Sequence, residues 1–190
     1  MRFKVRHTKL TGVLEIIPEK LSDHRGSLTR LYDRRVFECL NADLNTAQEN
    51  IFYTGKKNTM RGLHFSLPPW QESKMITAIR GVTQWVSVDL RKSSPTFGAW
   101  ESVILLGVAH NSLIAGAGFA HGCLSLTNDC ELLVKADQFF EDVNSDGIIW
   151  DDPTLKVKWE LKPGYLLVIS EEHCKYPTFE EFLEKHGGKL

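Results

Sequence analysis

The chain has 190 residues, of which 42% are hydrophobic, and its 23 Lys and Arg residues nearly balance 24 Asp and Glu residues, for a formal net charge of -1. A charge this close to zero excludes a global field that attracts nucleic acid or an anionic membrane. We expect one soluble domain over residues 1–190, long enough to bury roughly 70% of its unfolded surface.

Targeting and redox features are sparse. The longest apolar runs, such as residues 103–109, are too short to span a bilayer, and the N-terminus leads into no signal-like apolar core, which predicts a cytoplasmic location. The four cysteines form no CxxC pair, and we expect reduced thiols at Cys39, Cys123, Cys130 and Cys174.

In chain order, the first predicted elements are a short helix over residues 33–40 and a strand around residues 82–89. In that strand valines alternate with polar residues while Trp85 lies on the second face, which predicts burial on both sides. Residues 120–127 and 131–140 predict two strands, with Asn128-Asp129 as a plausible hairpin turn between them.

The predicted elements end with a strand over residues 165–169 and a helix that begins near Pro177. Thr178 and Glu181 have the spacing of a capping box there. Many short strands with few helices predict a mainly β fold, a barrel or jelly roll.

Arg61 and His64 lie three positions apart around Gly62. Side chains alternate along a strand, so an ideal strand would place the two on opposite faces. A bend at Gly62 would bring both into one cavity, where a base of near-neutral pKa beside a permanent cation suits proton abstraction and anion binding.

A metal site is not predicted at these histidines. Metal-binding jelly rolls generally present a His-x-His pair, but Ser66 occupies the position two after His64, and His121 stands alone on its own strand. Acid-base or anion-stabilising chemistry in a metal-free cavity is the better interpretation.

Six motifs, in this order, resemble those of the dTDP-4-dehydrorhamnose 3,5-epimerase family, which acts on nucleotide-linked 4-keto sugars. They cover residues 23–26, 48–50, 61–65, 88–98, 118–122 and 148–153. The resemblance implies a mainly β, homodimeric jelly-roll barrel of the cupin type with short flanking helices, without a metal or a bound cofactor.

The resemblance also implies three catalytic roles. A ketone at C4 acidifies the hydrogens on C3 and C5, and His64 would be the base that removes them. Asp152 would orient the imidazole and stabilise its protonated form. Lys74 would stabilise the enolate oxygen.

Six further residues match substrate-binding positions of the family. Guanidinium groups suit phosphate oxygens, and a ring in place of the usual tyrosine can still pack on the nucleotide base. The residues near the sugar and diphosphate are Arg25, Arg61 and His121; those lining the pocket are Gln48 and Asn50, and the stacking ring is Phe140.

One departure from the family pattern concerns Val134. Members that invert both carbons typically have a tyrosine there, thought to deliver a proton from the face opposite the histidine. Valine cannot donate a proton, so we expect inversion at one carbon, C3 rather than C5.

Two other functions stay open. A non-catalytic sugar-nucleotide-binding protein would keep the arginines and the stacking ring without a need for His64 and Asp152. A 3,4-ketoisomerase, which shifts the ketone between C3 and C4, would also use a histidine base. Proton NMR in deuterium oxide with 4-keto nucleotide sugars separates the three functions.

Overall fold

Short runs of alternating apolar and polar residues fold into strands along most of the chain. The computed structural model describes residues 3–140, 142–162 and 164–187. The strands of this part are β1 (Phe3–His7), β2 (Val13–Pro18), β3 (Lys20–Asp23), β4 (Gly26–Thr29), β5 (Gln48–Thr54), β6 (Met60–Ser66), β7 (Lys74–Arg80), β8 (Val82–Asp89), β9 (Trp100–Leu106), β10 (Ser112–Ala115), β11 (Phe119–Ser125), β12 (Cys130–Ala136) and β13 (Ser145–Gly147).

The strands form two main antiparallel sheets and one hairpin. The first sheet has the order β1-β2-β10-β7-β12-β5, and the second has the order β13-β6-β11-β8-β9. Among the strands of the described residues, β3 and β4 pair only with each other. Consecutive strands alternate between the two main sheets from β5 onward for much of the chain, which is the connectivity of a jelly roll.

The core between the sheets is apolar at one end. Ile76 and Val134 of the first sheet join Trp85 and Val103 of the second in one buried cluster. Seven of the eight residues of β8 are buried, and this strand lies between β11 and β9. The prediction of a strand buried on both sides is therefore confirmed.

Two short helices cover the outer faces of the sheets. Helix α1 (Arg34–Cys39) packs Phe37 against Met75 and Ile114 of the first sheet. Helix α2 (Phe179–His186) packs Phe179 and Phe182 against the second sheet. Among the described residues no helix is long and apolar enough to cross a membrane.

The predicted capping box at the start of α2 is present. The Thr178 side chain accepts a hydrogen bond from the backbone N–H of Glu181, whose side chain accepts one from the backbone N–H of Thr178. These two bonds satisfy N–H groups that have no partner inside the helix.

The predicted strands over residues 120–127 and 131–140 are present as β11 and β12, but their predicted pairing and the strand predicted over residues 165–169 are wrong. Residues 120–127 and 131–140 do not form a hairpin, because β11 pairs with β6 and β8 while β12 pairs with β5 and β7 in the other sheet. The turn at Asp129, with φ of 53°, carries the chain from one sheet to the other. Residues 165–169 form no strand, and only Val168 makes an isolated bridge, to Thr59.

Candidate active site

Arg61 and His64 project from the same face of β6 although three positions separate them. His64 pairs with His121 of β11, and Arg61 pairs with Cys123. A step of two residues on β11 thus matches a step of three on β6, which is a β-bulge. Gly62 has φ of +92°, where a Cβ would collide with the carbonyl oxygen of His121. The expectation that Gly62 breaks the alternation is confirmed.

His64 is uncharged at neutral pH. Burial, followed by the positive charge of Lys74, the His173 ring and the charge of Arg61, together lower the pKa of its half-buried imidazole to about 3. A neutral imidazole has a free lone pair, so His64 can accept a proton.

His121 lies beside His64 with one ring nitrogen unpartnered. Its Nδ1 lies 3.3 Å from Nε1 of Trp85 and 3.2 Å from Oγ of Ser87. An indole N–H only donates, so Nδ1 of His121 accepts and we assign the proton to Nε2. Nε2 is buried without a partner, as is Nε of Arg61. Buried donors of this kind are rare and suit a ligand oxygen.

Lys74 brings a buried positive charge to the same site from the first sheet. Its Nζ lies 2.7 Å from Oε1 of Glu72, which also accepts a 3.3 Å bond from Oγ of Ser66 on β6. The charge of Lys74 lowers the pKa of both His64 and His121. The site therefore spans both sheets. Glu72 was not among the predicted residues.

Three further predicted site residues lie on or next to β5 and β12. Gln48 pairs with Ala136, which pairs with Lys74, so Gln48 and Lys74 share one face of the first sheet. Asn50 pairs with Val134 two residues along, on the same face. The backbone N–H of Phe140 donates to Oε1 of Gln48 over 3.3 Å, which places Phe140 at the same end of β5.

Asp152 does not contact His64, which corrects the predicted partnership. Oδ1 of Asp152 accepts hydrogen bonds from the backbone N–H groups of Thr154 and Leu155, and Oδ2 accepts one from Phe179. No described hydrogen bond joins it to His64. Asp152 is 1% exposed, and its carboxylate joins a turn to the first residue of α2 through hydrogen bonds, so its role is structural.

Arg25 lies on the exposed β3–β4 hairpin. Its guanidinium pairs with the Asp23 carboxylate at 2.7 Å, and its side chain is 78% exposed. The described contacts of Arg25 are all with Asp23, so this chain alone does not bring Arg25 to His64.

His173 contributes to the site but was missed in the sequence. It lies in a 3₁₀ helix over His173–Lys175, and its ring stacks on His64 with centroids 6.2 Å apart. Its Nδ1 accepts a 3.3 Å hydrogen bond from the backbone N–H of Gly62. The segment is polar and 111 positions from Gly62, so no local pattern indicates this contact.

The arrangement combines a neutral base, unpartnered donors and a buried cation at one end of a β sandwich. Among the described residues no group of three or more His, Cys, Asp and Glu side chains could hold a metal ion. These features define the class: a jelly-roll enzyme site suited to moving a proton on carbon and stabilising the oxyanion that results.

The sequence comparisons agree with this class. The family model described as dTDP-4-dehydrorhamnose 3,5-epimerase matches residues 7–181. The dTDP-4-dehydrorhamnose 3,5-epimerase of Methanothermobacter thermautotrophicus is 32% identical over 179 residues, or 94% of this chain and 96% of that protein. The chain therefore belongs to the dTDP-4-dehydrorhamnose 3,5-epimerase family, whose members are carbohydrate epimerases of the isomerase class.

Solved structures give the same result for the fold. The Bacillus anthracis dTDP-4-dehydrorhamnose 3,5-epimerase with TDP and PPi bound has a TM-score of 0.88 and 32% identity, covering 93% of this chain and 99% of that one. ChmJ, a 3'-monoepimerase from Streptomyces bikiniensis in complex with dTDP-quinovose, has a TM-score of 0.86 and 26% identity, covering 96% and 90%. The cupin-type jelly roll with short flanking helices is confirmed.

Proposed function

We propose that this chain, as one domain, epimerises a dTDP-linked 4-keto-6-deoxy sugar through an enolate, with His64 as the base. The observation that carries the proposal is the convergence of an uncharged His64 with the unpartnered donors of Arg61 and His121 on one face of the second sheet. A non-catalytic binding site would not need the uncharged base.

The proposed chemistry follows from the ketone at C4. A ring nitrogen of His64 takes a proton from the adjacent carbon, and the electron pair of that C–H bond moves onto the C4 oxygen as an enolate. Lys74 and the Nε2–H of His121 stabilise the oxygen, a contribution of several kcal/mol in a water-poor site. A proton added from the opposite face then inverts the carbon.

Val134 supports inversion at one carbon only. It is 6% exposed, lies between Asn50 and Ile76 in the register of the first sheet, and has no proton to donate. We propose C3 as the inverted carbon, with water or another group as the donor. The similar Streptomyces bikiniensis protein, named a 3'-monoepimerase, is a precedent for one-centre chemistry within this fold.

Substrate binding is proposed for Arg61, His121, Gln48, Asn50, Arg25 and Phe140. The Phe140 ring is 53% exposed and free to stack on a nucleotide base, as aromatic rings commonly do. Relatives that hold TDP and a dTDP-sugar support a thymidine nucleotide. A cytoplasmic location stays a prediction.

A homodimer is part of the proposal. Ile51 and Tyr53 of the edge strand β5 are 71% and 54% exposed, and Leu28 of the β3–β4 hairpin is 62% exposed. Apolar groups on a free sheet edge indicate an interface. An interface that includes the hairpin would also explain why Arg25 makes no contact with the site of its own chain.

The test is proton NMR of a dTDP-linked 4-keto-6-deoxy sugar in deuterium oxide, with His64→Asn as the inactive control. We expect deuterium at C3 with the intact chain and none with the variant, although both bind dTDP. Binding without exchange in the intact chain would indicate a sugar-nucleotide-binding protein. Movement of the carbonyl to C3 would indicate a 3,4-ketoisomerase.

A further inference from the structure

The ring beside the base His64 is another imidazole. His173 stacks on His64 with ring planes 26° apart and centroids 6.2 Å apart. Its Nδ1 accepts the backbone N–H of Gly62, so His173 is attached to the bulge that turns His64 toward Arg61. The one carboxylate predicted for this place, Asp152, is occupied by backbone N–H groups elsewhere.

We propose that His173 is a positioning residue for His64. Its imidazole holds the base in place by stacking on the His64 ring and by its hydrogen bond to Gly62 in the bulge. A carboxylate in this place would have held the base by its charge. The inference rests on the proposed function for its effect on turnover, but its structural content concerns the His64–His173 pair itself.

The charges around the pair favour two neutral rings. Lys74 and Arg61 are the cations that act on His64, and its register partner His121 is itself uncharged. The carboxylate of Glu72 pairs with Lys74 at 2.7 Å, so it is engaged with that cation. The cations Lys74 and Arg61 both disfavour a proton on His64.

His173 has its own surroundings. Burial and Arg61 lower the pKa of His173, whereas Glu172, the residue just before its short helix, acts to raise it. The Tyr176 ring also packs against His173, with ring centroids 5.1 Å apart, and burial raises the pKa of that phenol to about 12, so it is neutral too. A proton on Nδ1 of His173 would also break the bond from Gly62.

A neutral partner has a chemical consequence. A carboxylate would stabilise the imidazolium that forms when His64 takes the C–H proton, whereas an imidazole stabilises it little. His64 is therefore a weaker base that stays available in mildly acidic solution. We expect no acid limb from His64 in kcat/KM between about pH 5 and pH 7, well above its folded pKa.

The test measures the His64 ring directly. We would titrate the protein with 13C- and 15N-labelled histidine by NMR, assign His64 by its loss in His64→Asn, and repeat the titration in His173→Asp. Placing a carboxylate beside the ring should move the His64 midpoint upward by roughly 1 to 3 pH units, as an opposite charge at this range does. The acid limb of kcat/KM should move with it.

Two further variants complete the experiment. His173→Asn keeps an acceptor for the Gly62 N–H but loses the stacked ring, so kcat should fall at least about tenfold with KM little changed and the His64 midpoint still low. Cys174→Ser, an exposed neighbour on the same short helix, is the matched control and should leave both the titration and kcat as in the intact chain.

An unmoved His64 midpoint in a folded His173→Asp protein would overturn the proposal. If that variant does not fold, normal kcat in His173→Asn overturns it instead. The titration needs no turnover, so a chain without epimerase activity but with the expected shift would refute the proposed function and leave the His64–His173 pairing supported.

Discussion

His64 and His121 are direct register partners across β6 and β11, and both imidazoles are held uncharged. Burial, together with the charge of Lys74, lowers the pKa of His64 to about 3 and the pKa of His121 well below its ordinary value. Below about pH 6.5 the unfolded chain therefore binds protons at these two histidines, whereas the folded protein leaves them unprotonated.

This difference makes stability depend on pH. Where the unfolded chain binds more protons than the folded protein, the free energy of unfolding rises with pH. The stabilisation that comes from the neutral histidines is therefore fully present above about pH 6.5 and is lost as the pH falls toward about 3. We expect urea midpoints to fall between pH 7.5 and pH 5, and to fall less in His64→Asn. His24→Asn, on the exposed hairpin, is the control. An equal fall in His64→Asn would contradict the assigned neutrality.

Removal of the base should abolish turnover and spare binding. His64→Asn keeps a polar side chain of similar size but cannot take the C–H proton, so we expect kcat to fall roughly a thousandfold. Affinity for dTDP, measured by titration calorimetry, should stay nearly unchanged. Near-normal turnover in this variant would remove His64 from the mechanism.

Asp152→Ala should reduce stability and leave the chemistry intact. The buried carboxylate accepts three backbone hydrogen bonds, including one from the first residue of α2, so its loss should lower the free energy of unfolding by about 1 to 3 kcal/mol. Asp151→Ala, an exposed neighbour, should change it little. A loss of kcat per folded molecule, without a loss of stability, would restore Asp152 to the role predicted from sequence.

The outcomes at Gly62, Thr178 and Asp152 show which features a sequence carries. The capping box at Thr178 and the bulge at Gly62 depend on neighbours within a few residues, so both could be predicted. The structural role of Asp152 depends on its hydrogen bond with Phe179, which lies 27 positions away. A turn carboxylate before a proline fits both this structural role and the catalytic role that was predicted.

The errors in topology have the same origin. The prediction that the chain turns at Asn128-Asp129 is correct. A turn does not specify whether the chain returns to the same sheet, and here it crosses to the other sheet. His173 and Glu72 reach the site only through tertiary packing. The short polar segment around His173 has no hydrophobic periodicity that predicts its contact with the site.

The two arginines should differ in how they affect affinity. Nε of Arg61 is buried without a partner, so Arg61→Ala should weaken dTDP-sugar binding by about 1 to 3 kcal/mol with little salt dependence. Arg25 is exposed, so any loss in Arg25→Ala should shrink as salt is raised. Calorimetry at two salt concentrations checks both. Unchanged affinity in both variants would indicate turn or packing roles.

The most direct test of the account is the configuration of C3 and C5, measured together by NMR after reaction with a dTDP-linked 4-keto-6-deoxy sugar in deuterium oxide. We predict inversion with deuterium at C3, and at C5 either no change or exchange with retention, because Val134 supplies no proton from the opposite face. Val134→Tyr should then add inversion at C5. Rapid inversion and labelling at both carbons in the unaltered chain would contradict the account and show that another donor replaces the tyrosine.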